Sequence, residues 1–272
     1  MVQHMIVPVD GSDDSWRAVD AALALGRRCD ASVDIIEVVF AERYLAEAEA
    51  RVADRIGKHD ASGVTVTTTA KLGESAAAVI SSEVDRHPEV LVVMASHGRG
   101  RSAALLGSVT EDLLQKIYGP ILVVGPHSKT NDFSGPIVVT VDGSEASEGV
   151  LPLAAAYGIE LRVDPWIVEV AEPHVATPSD ISESAYTARL ARKLSEESGH
   201  AVHFEMLHGK HVADEVSSFA SSMNASLVVA STHGRTGMAR LVIGSTAAAF
   251  VHKAPCPILL VRPPHLSSSD DS

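Results

Sequence analysis

The tetrapeptide Val-Asp-Gly-Ser occurs twice in this chain, at residues 9–12 and 141–144. Further matches follow in the same order in both parts of the chain. Leu-Val-Val at 91–93, His-Gly-Arg at 97–99 and Gly-Ser at 107–108 recur at 227–229, 233–235 and 244–245. A repeat that keeps its order over most of a sequence indicates a duplicated structural unit. The 272 residues therefore contain two units of about 130 residues, a common domain size.

A polar stretch, residues 126–135, separates the two units, so we expect one domain over residues 1–126 and a second over 135–264. The whole chain has a net charge of −13, and both halves are acidic. Binding of a polyanion by bulk charge needs clustered cations. The composition therefore excludes a nucleic-acid-binding protein of that kind.

Short apolar runs alternate with helical stretches within a unit. The runs dense in Val, Ile and Leu suit strands that are buried on both faces: Met5–Val9, Val33–Val39, Val90–Ala95 and Ile121–Val124. Val64–Ala70 alternates Val with Thr, which is typical of an edge strand. Helical composition covers Ser15–Arg28, Ala41–Lys58, Ser75–Arg86 and Ser108–Tyr118. This order predicts an α/β fold, with a parallel sheet covered by helices on both faces.

Ligands of such sheets bind beyond the carboxyl ends of the strands, where the strand order reverses. Asp10 and Asp142 end the first strand of each unit, and their carboxylates could accept hydrogen bonds from a ribose or an adenine. The same residues, with the Ser that follows two positions later, are also typical of a helix start. Sequence leaves both roles open.

The loop after the fourth strand is rich in glycine and ends at a helix. Glycines let backbone amides approach an anion closely, and the amides and dipole of a helix N-terminus favour phosphate. A phosphate could rest on residues 107–109 and 244–246, or the Gly-Ser pairs could cap a helix with nothing bound. No Walker-type Gly-x-x-x-x-Gly-Lys-Ser/Thr sequence and no Gly-x-Ser-x-Gly sequence occurs.

Together these motifs resemble the universal stress protein family, here in tandem form. The resemblance implies two doubly wound five-stranded parallel sheets with strand order 3-2-1-4-5, the adenine nucleotide alpha hydrolase-like fold. It also implies that the fifth strands pair antiparallel, so that the two domains form a pseudo-dimer within one chain. A further homodimer stays open.

One branch of the family binds ATP, and the resemblance places that nucleotide, with a divalent ion such as Mg²⁺ on its phosphates, in the crevice. Asp10 and Asp142 would face adenosine, and Val38 and Val170 would line the adenine pocket. Ala95 and Ser231 stand where the family's ATP signature has its first glycine. The residues that would hold the phosphates are Gly98, Gly107, Ser108 and Val109 in the first copy and Gly234, Gly244, Ser245 and Thr246 in the second.

Both copies depart from the signature of Gly, two residues, Gly, nine residues and Gly-Ser/Thr. Besides Ala95 and Ser231, the first copy has eight residues between Gly98 and Gly107, whereas the second keeps nine. The spacing therefore favours the second copy, and on spacing alone Gly244→Val should cost more ATP binding than Gly107→Val.

Function is expected to follow from binding, because no general base or nucleophile stands out and turnover would be slow or absent. The alternative from another class is a stress scaffold with empty crevices that acts by protein association. The start Met1-Val2-Gln3-His4-Met5 lacks the basic flank of a secretory signal, and no apolar run approaches the ~20 residues of a membrane span. We expect a cytosolic protein without a membrane partner.

Smaller expectations concern single residues. Cys29 and Cys256 lie far apart and should be buried small hydrophobes rather than a disulfide. His97 and His233 should bond loop backbone, and Trp16 and Trp166 should pack.

Overall fold

The computed structural model describes residues 2–87, 89–98, 106–129, 131–171, 180–233 and 243–262. Ten strands lie in these ranges: β1 His4–Val9, β2 Ser32–Val39, β3 Val66–Leu72, β4 Leu91–Ala95, β5 Ile121–Val124, β6 Ile137–Thr140, β7 Pro165–Ala171, β8 His203–His208, β9 Leu227–Ser231 and β10 Ile258–Val261. The helices are α1 Asp13–Cys29, α2 Leu45–Ile56 after a 3-10 turn at Glu42–Tyr44, α3 Ala76–Arg86, α4 Ser108–Lys116, α5 Glu145–Glu148, α6 Leu151–Leu161, α7 Asp180–Ser198, α8 Val212–Ser222 and α9 Ser245–Lys253. No helix in these ranges is long and apolar enough to cross a bilayer.

All ten strands form one sheet in the order β3-β2-β1-β4-β5-β10-β9-β6-β7-β8. Each half has the expected order 3-2-1-4-5, and the strands within each half pair parallel. The predicted fold class is confirmed. The Val/Thr-rich strand β3 lies at one edge, as its alternation predicts, although it begins at Val66, two residues later than expected.

The centre of the sheet is the antiparallel pair of β5 and β10, in which Leu122 lies opposite Leu259. This pairing joins the two units in the way that the resemblance implies, so the intramolecular pseudo-dimer is confirmed. It also covers two strand edges that would otherwise be open to pairing with other chains.

Two apolar cores, one on each face of the sheet, run through both units. Successive residues of a strand point to opposite faces, so Val93 belongs to one core and Val92 to the other. The first core is covered by α1, α2, α6 and α7, and the second by α3, α4, α8 and α9. Because each core continues across the β5–β10 pair, the two units share their hydrophobic stabilisation.

The first helix of each unit starts in the same way but continues differently. Ser12 and Ser144 are the N-caps of α1 and α5, and each hydroxyl accepts the amide N–H three residues later at 3.2 Å. In the second unit the helix is interrupted, and α6 begins with Pro152 in its first turn. Proline lacks an amide hydrogen and its ring clashes with the carbonyl four residues earlier. That carbonyl belongs to Glu148, where α5 ends.

The segment between the units is packed rather than a loose linker. Its Phe133 is 1% exposed, and the Ser128 hydroxyl donates to the carbonyl of Cys256 at 3.0 Å. Arg17 of α1 donates to the carbonyls of Pro126 and Ser128. These contacts could not be predicted from the polar composition of the segment. A polar side chain can be buried once it is hydrogen-bonded, and composition does not show whether it has a partner.

Gly125 is the position where the two units approach most closely among the described glycines. A Cβ atom built there would lie 1.9 Å from the carbonyl oxygen of Val251, a backbone atom of the other unit. We expect Gly125→Ala to lower the free energy of unfolding by about 1–3 kcal/mol or more, because neither backbone can yield without strain. Calorimetric unfolding measures this as a fall in Tm of several degrees.

The matched control is Gly119→Ala, where the nearest atom to the new Cβ is 3.9 Å away. Its stability should stay within about 0.5 kcal/mol of the unmodified chain. Equal Tm values for the two variants would show that the close contact at Gly125 does not constrain the assembly.

Candidate functional site

The Val-Asp-Gly-Ser turn has the same geometry in both units. Asp10 Oδ1 accepts the Ser12 amide at 3.0 Å and the Ser12 hydroxyl at 2.6 Å. Asp142 Oδ1 accepts the same two groups of Ser144 at 3.0 and 2.5 Å. The serines therefore cap the helices, and each aspartate supports its serine while lining a cavity. The sequence left open whether these aspartates belong to the helix start or to a ligand site, and the two roles are compatible.

Glycine is needed at position 98 because the loop backbone lies directly on Asp10. A Cβ atom there would come within 2.2 Å of Asp10 Oδ2. The first strand and the loop after the fourth strand are thus brought together at the point where the strand order reverses. The equivalent Gly234 lies outside the described residues.

The helices α4 and α9 present their first-turn amides at this point. Gly107 and Gly244 are the N-caps, and their own amides are already used, since they donate to the carbonyls of Ser96 and Thr232 at 2.8 and 2.9 Å. The first intrahelical bonds come later, with Glu111 donating to Gly107 in α4. The amides that an anion could use therefore belong to residues 108–110 and 245–247. The amides of Gly107 and Gly244 are thus occupied, and the phosphate contacts expected of these two residues stay a prediction.

A cavity opens at the carboxyl ends of the strands in each unit, of about 230 Å³ in the first and about 240 Å³ in the second. The first is lined by the predicted Asp10, Val38, Ala95, Gly98, Gly107, Ser108 and Val109. The second is lined by the predicted Asp142, Ser231, Gly244, Ser245 and Thr246. Val170 is described, but it is not among the residues that line the second cavity. Neither Ala95 nor Ser231 fills its cavity.

The rings of His97 and His233 contact the hydroxyls of Ser96 and Thr232, at 2.6 and 3.0 Å, in addition to lining the cavities. The backbone partners predicted from the sequence for these rings stay a prediction. Both cysteines are free thiols, and burial raises the pKa of Cys256 to about 12.

Trp16 is 2% exposed, and its ring stacks on that of His59 with centroids 4.9 Å apart. Trp166 stacks on His203 at 4.7 Å. Both tryptophans therefore pack, as expected.

The side chains beside the two turns differ in a way that the sequence did not indicate. In the first unit, Arg55 of α2 donates to the carbonyl of Gly11 at 2.8 Å and lies over the Trp16 ring. In the second unit, Glu148 takes the place of Trp16 and accepts a 2.7 Å hydrogen bond from Tyr186 of α7. Burial and then the neighbouring Glu148 raise the pKa of Tyr186, which stays a neutral donor.

Comparison with known proteins agrees with this architecture. A family model described as the Universal stress protein family matches residues 1–125 and 134–262. The chain belongs to this family. It is 27% identical to a universal stress protein of Mycolicibacterium smegmatis over 82% of this chain and 77% of that one.

A solved structure shows the same fold. A universal stress protein from Archaeoglobus fulgidus is similar over 95% of this chain and 98% of that one, with a TM-score of 0.74 and 19% identity. Another from Archaeoglobus fulgidus, solved in complex with dAMP, is 26% identical and covers 47% of this chain and 97% of its own, with a TM-score of 0.39.

The contact between Gly98 and Asp10 yields a stability prediction. Gly98→Ala forces the Asp10 carboxylate to move, which disturbs its two bonds to Ser12, so we expect a loss of about 1–2 kcal/mol in unfolding free energy. Chemical denaturation without ligand measures it. Gly119→Ala is the control, because its new Cβ would lie 3.9 Å from the nearest atom and the residue is not a helix cap. A loss of similar size in both variants would argue against this contact.

Proposed function

We propose that this universal stress protein binds adenine nucleotide, with ATP as the ligand, at the cavities beyond its strand ends. The observation that carries the proposal is the juxtaposition of an apolar cavity wall with open helix amides. In the first cavity Val38 and Ile36 supply the wall, and the first turn of α4 supplies the amides. An apolar pocket with a few convergent polar groups is the usual form of a small-molecule site.

The polar groups suit the parts of a nucleotide. Asp10 lines the cavity and is held in place by Ser12, so its carboxylate suits a hydroxyl or amino donor of adenosine. The helix amides and the helix dipole suit phosphate. Gly98 allows the loop to come close without a side chain in the way.

A divalent ion fits this site only as a companion of the phosphates. Within the described ranges, no three His, Cys, Asp or Glu side chains converge to hold a metal. Mg²⁺ keeps several waters and commonly binds through substrate phosphates. We propose that the ion is held by the nucleotide and its water rather than by protein ligands.

The nucleotide would act through conformation or partners rather than through turnover. Helix α4 begins at the first cavity, and the carbonyl of Gln115 near its other end accepts a 2.6 Å bond from Arg262 of the second unit. Helix α9 begins at the second cavity, and the carbonyl of His252 accepts a 2.7 Å bond from His127 of the first unit. Each cavity is thus connected by one helix to the junction of the two units.

Ligand titration tests the proposal directly. ATP with Mg²⁺ should raise the Tm, because a ligand that binds only the folded state adds RT ln(1 + [L]/Kd), about 2.7 kcal/mol at one hundred times Kd. Mass spectrometry of nucleotide released from purified protein should detect adenine nucleotide. A chain free of nucleotide and unaffected by millimolar ATP would favour the scaffold instead.

Proline substitution tests the helix amides, because it removes a single amide hydrogen from each helix. Proline is tolerated at the first helical position and removes the amide hydrogen, so Ser108→Pro with Ser245→Pro should keep both helices but weaken ATP binding. Loss of a hydrogen bond to a charged group is worth about 1.5–3 kcal/mol, so we expect a Kd at least about tenfold higher by calorimetric titration. The control, Ser108→Ala with Ser245→Ala, retains the amides and should lose less. Equal losses would exclude the amides of Ser108 and Ser245 as binding groups.

A further inference from the structure

The two cavities differ in the wall that faces the second strand of each unit. In the first cavity this wall consists of Ile36 and Val38 of β2, Ala76 at the start of α3 and Met94 of β4. All four side chains are small or apolar and they are contiguous along the strand ends. This is the surface against which a flat, apolar base can lie.

The second cavity has no such wall within the described residues. Val212 lines it in the place of Ala76, while Val168 and Val170 of β7, the counterparts of Ile36 and Val38, are absent from the lining. Phe250 also lines it, whereas its counterpart Leu113 is fully buried outside the first cavity.

The two units differ in how side-chain volume is divided between the strand and the helix. Where the first unit has Met94 on the strand and Leu113 on the helix, the second has Ala230 and Phe250. Interiors are close-packed, so a small side chain on the strand is balanced by a larger one on the helix. Phe250 and Val212 both line the second cavity, whose volume of about 240 Å³ is close to the 230 Å³ of the first, so the two cavities differ in the side chains of their walls and not in size.

The charged side chains next to the two turns also differ, although neither Arg55 nor Glu148 lines its cavity. Arg55 bonds the turn of the first unit, although it also pairs with the fully exposed Asp13. Beside the second turn, Glu148 binds Tyr186, and the charges of Glu148, Glu169 and Asp142 all act on that tyrosine. A triphosphate is attracted to a fixed guanidinium and repelled by carboxylates.

We infer that the chain binds one adenine nucleotide, in the first cavity, and that the second cavity does not hold the nucleoside. The inference rests on the proposed function and assigns its site. It reverses the preference that glycine spacing gives to the second copy, because spacing describes only the phosphate loop and not the base wall or the charge beside the turn.

Equilibrium dialysis with ATP and Mg²⁺ tests the assignment by stoichiometry. The unmodified chain should bind one equivalent. Ala76→Val, which places the valine of the second cavity in the first, should weaken binding at least tenfold. Ala78→Val is the matched control, because Ala78 is exposed on the same helix, and it should bind within twofold of the unmodified chain.

Single proline variants provide a second measurement that does not depend on the Ala76 variant folding. Ser108→Pro should weaken binding at least tenfold, and Ser245→Pro should bind within twofold of the unmodified chain. Two equal equivalents, or loss from Ser245→Pro with retention in Ser108→Pro, would overturn this inference and leave the proposed function standing. Absence of ATP binding in the unmodified chain would overturn both.

Discussion

The antiparallel pairing of β5 with β10 is the constraint on which the assembly depends. It places two parallel half-sheets edge to edge, so that one core on each face continues from the first unit into the second. Because apolar burial is the main favourable term in folding, neither unit can be displaced without exposing part of the shared cores. The hydrogen bonds of Ser128 and Arg17 add direction to this packing, and Gly125 allows the backbones to meet.

The fold could be predicted from the sequence because its signals are local or repeated. Buried strands have continuous Val, Ile and Leu runs, the edge strand alternates Val with Thr, and the two copies keep the same order. What could not be predicted depends on contacts between distant residues. The Ser128 side chain is polar, and its hydrogen bonds with the amide of Gly125 and the carbonyl of Cys256 explain why it is buried. The helix break at Pro152, by contrast, does not depend on a distant contact, because the proline and the carbonyl of Glu148 lie only four residues apart.

The candidate site likewise has a part that could be predicted from the sequence and a part that could not. Sequence identified the residues that end strands or start helices, and in the first unit the structure gathers all seven of them around one cavity. It did not identify Ala76, Met94 or Arg55, which come from a different helix start, a strand interior and a helix end. Nothing in the local pattern around Ala76 indicates a cavity wall. The difference between the two cavity walls at this position becomes visible only when Ala76 is compared with Val212, which occupies the corresponding place in the other copy.

Because the unit is duplicated, one of the two cavities is enough to bind nucleotide. The pairing of β5 with β10 explains why a second unit with an empty cavity would still be retained. Helix α9 contributes Phe250 and Val251 to the shared core, and its last turn is held by His127 of the first unit. Its structural role therefore persists whether or not its first turn meets an anion. A substitution such as Met94 to Ala230, balanced by Leu113 to Phe250, keeps the core filled while altering the cavity. The packing of α9 against the shared core therefore does not depend on a ligand at its first turn.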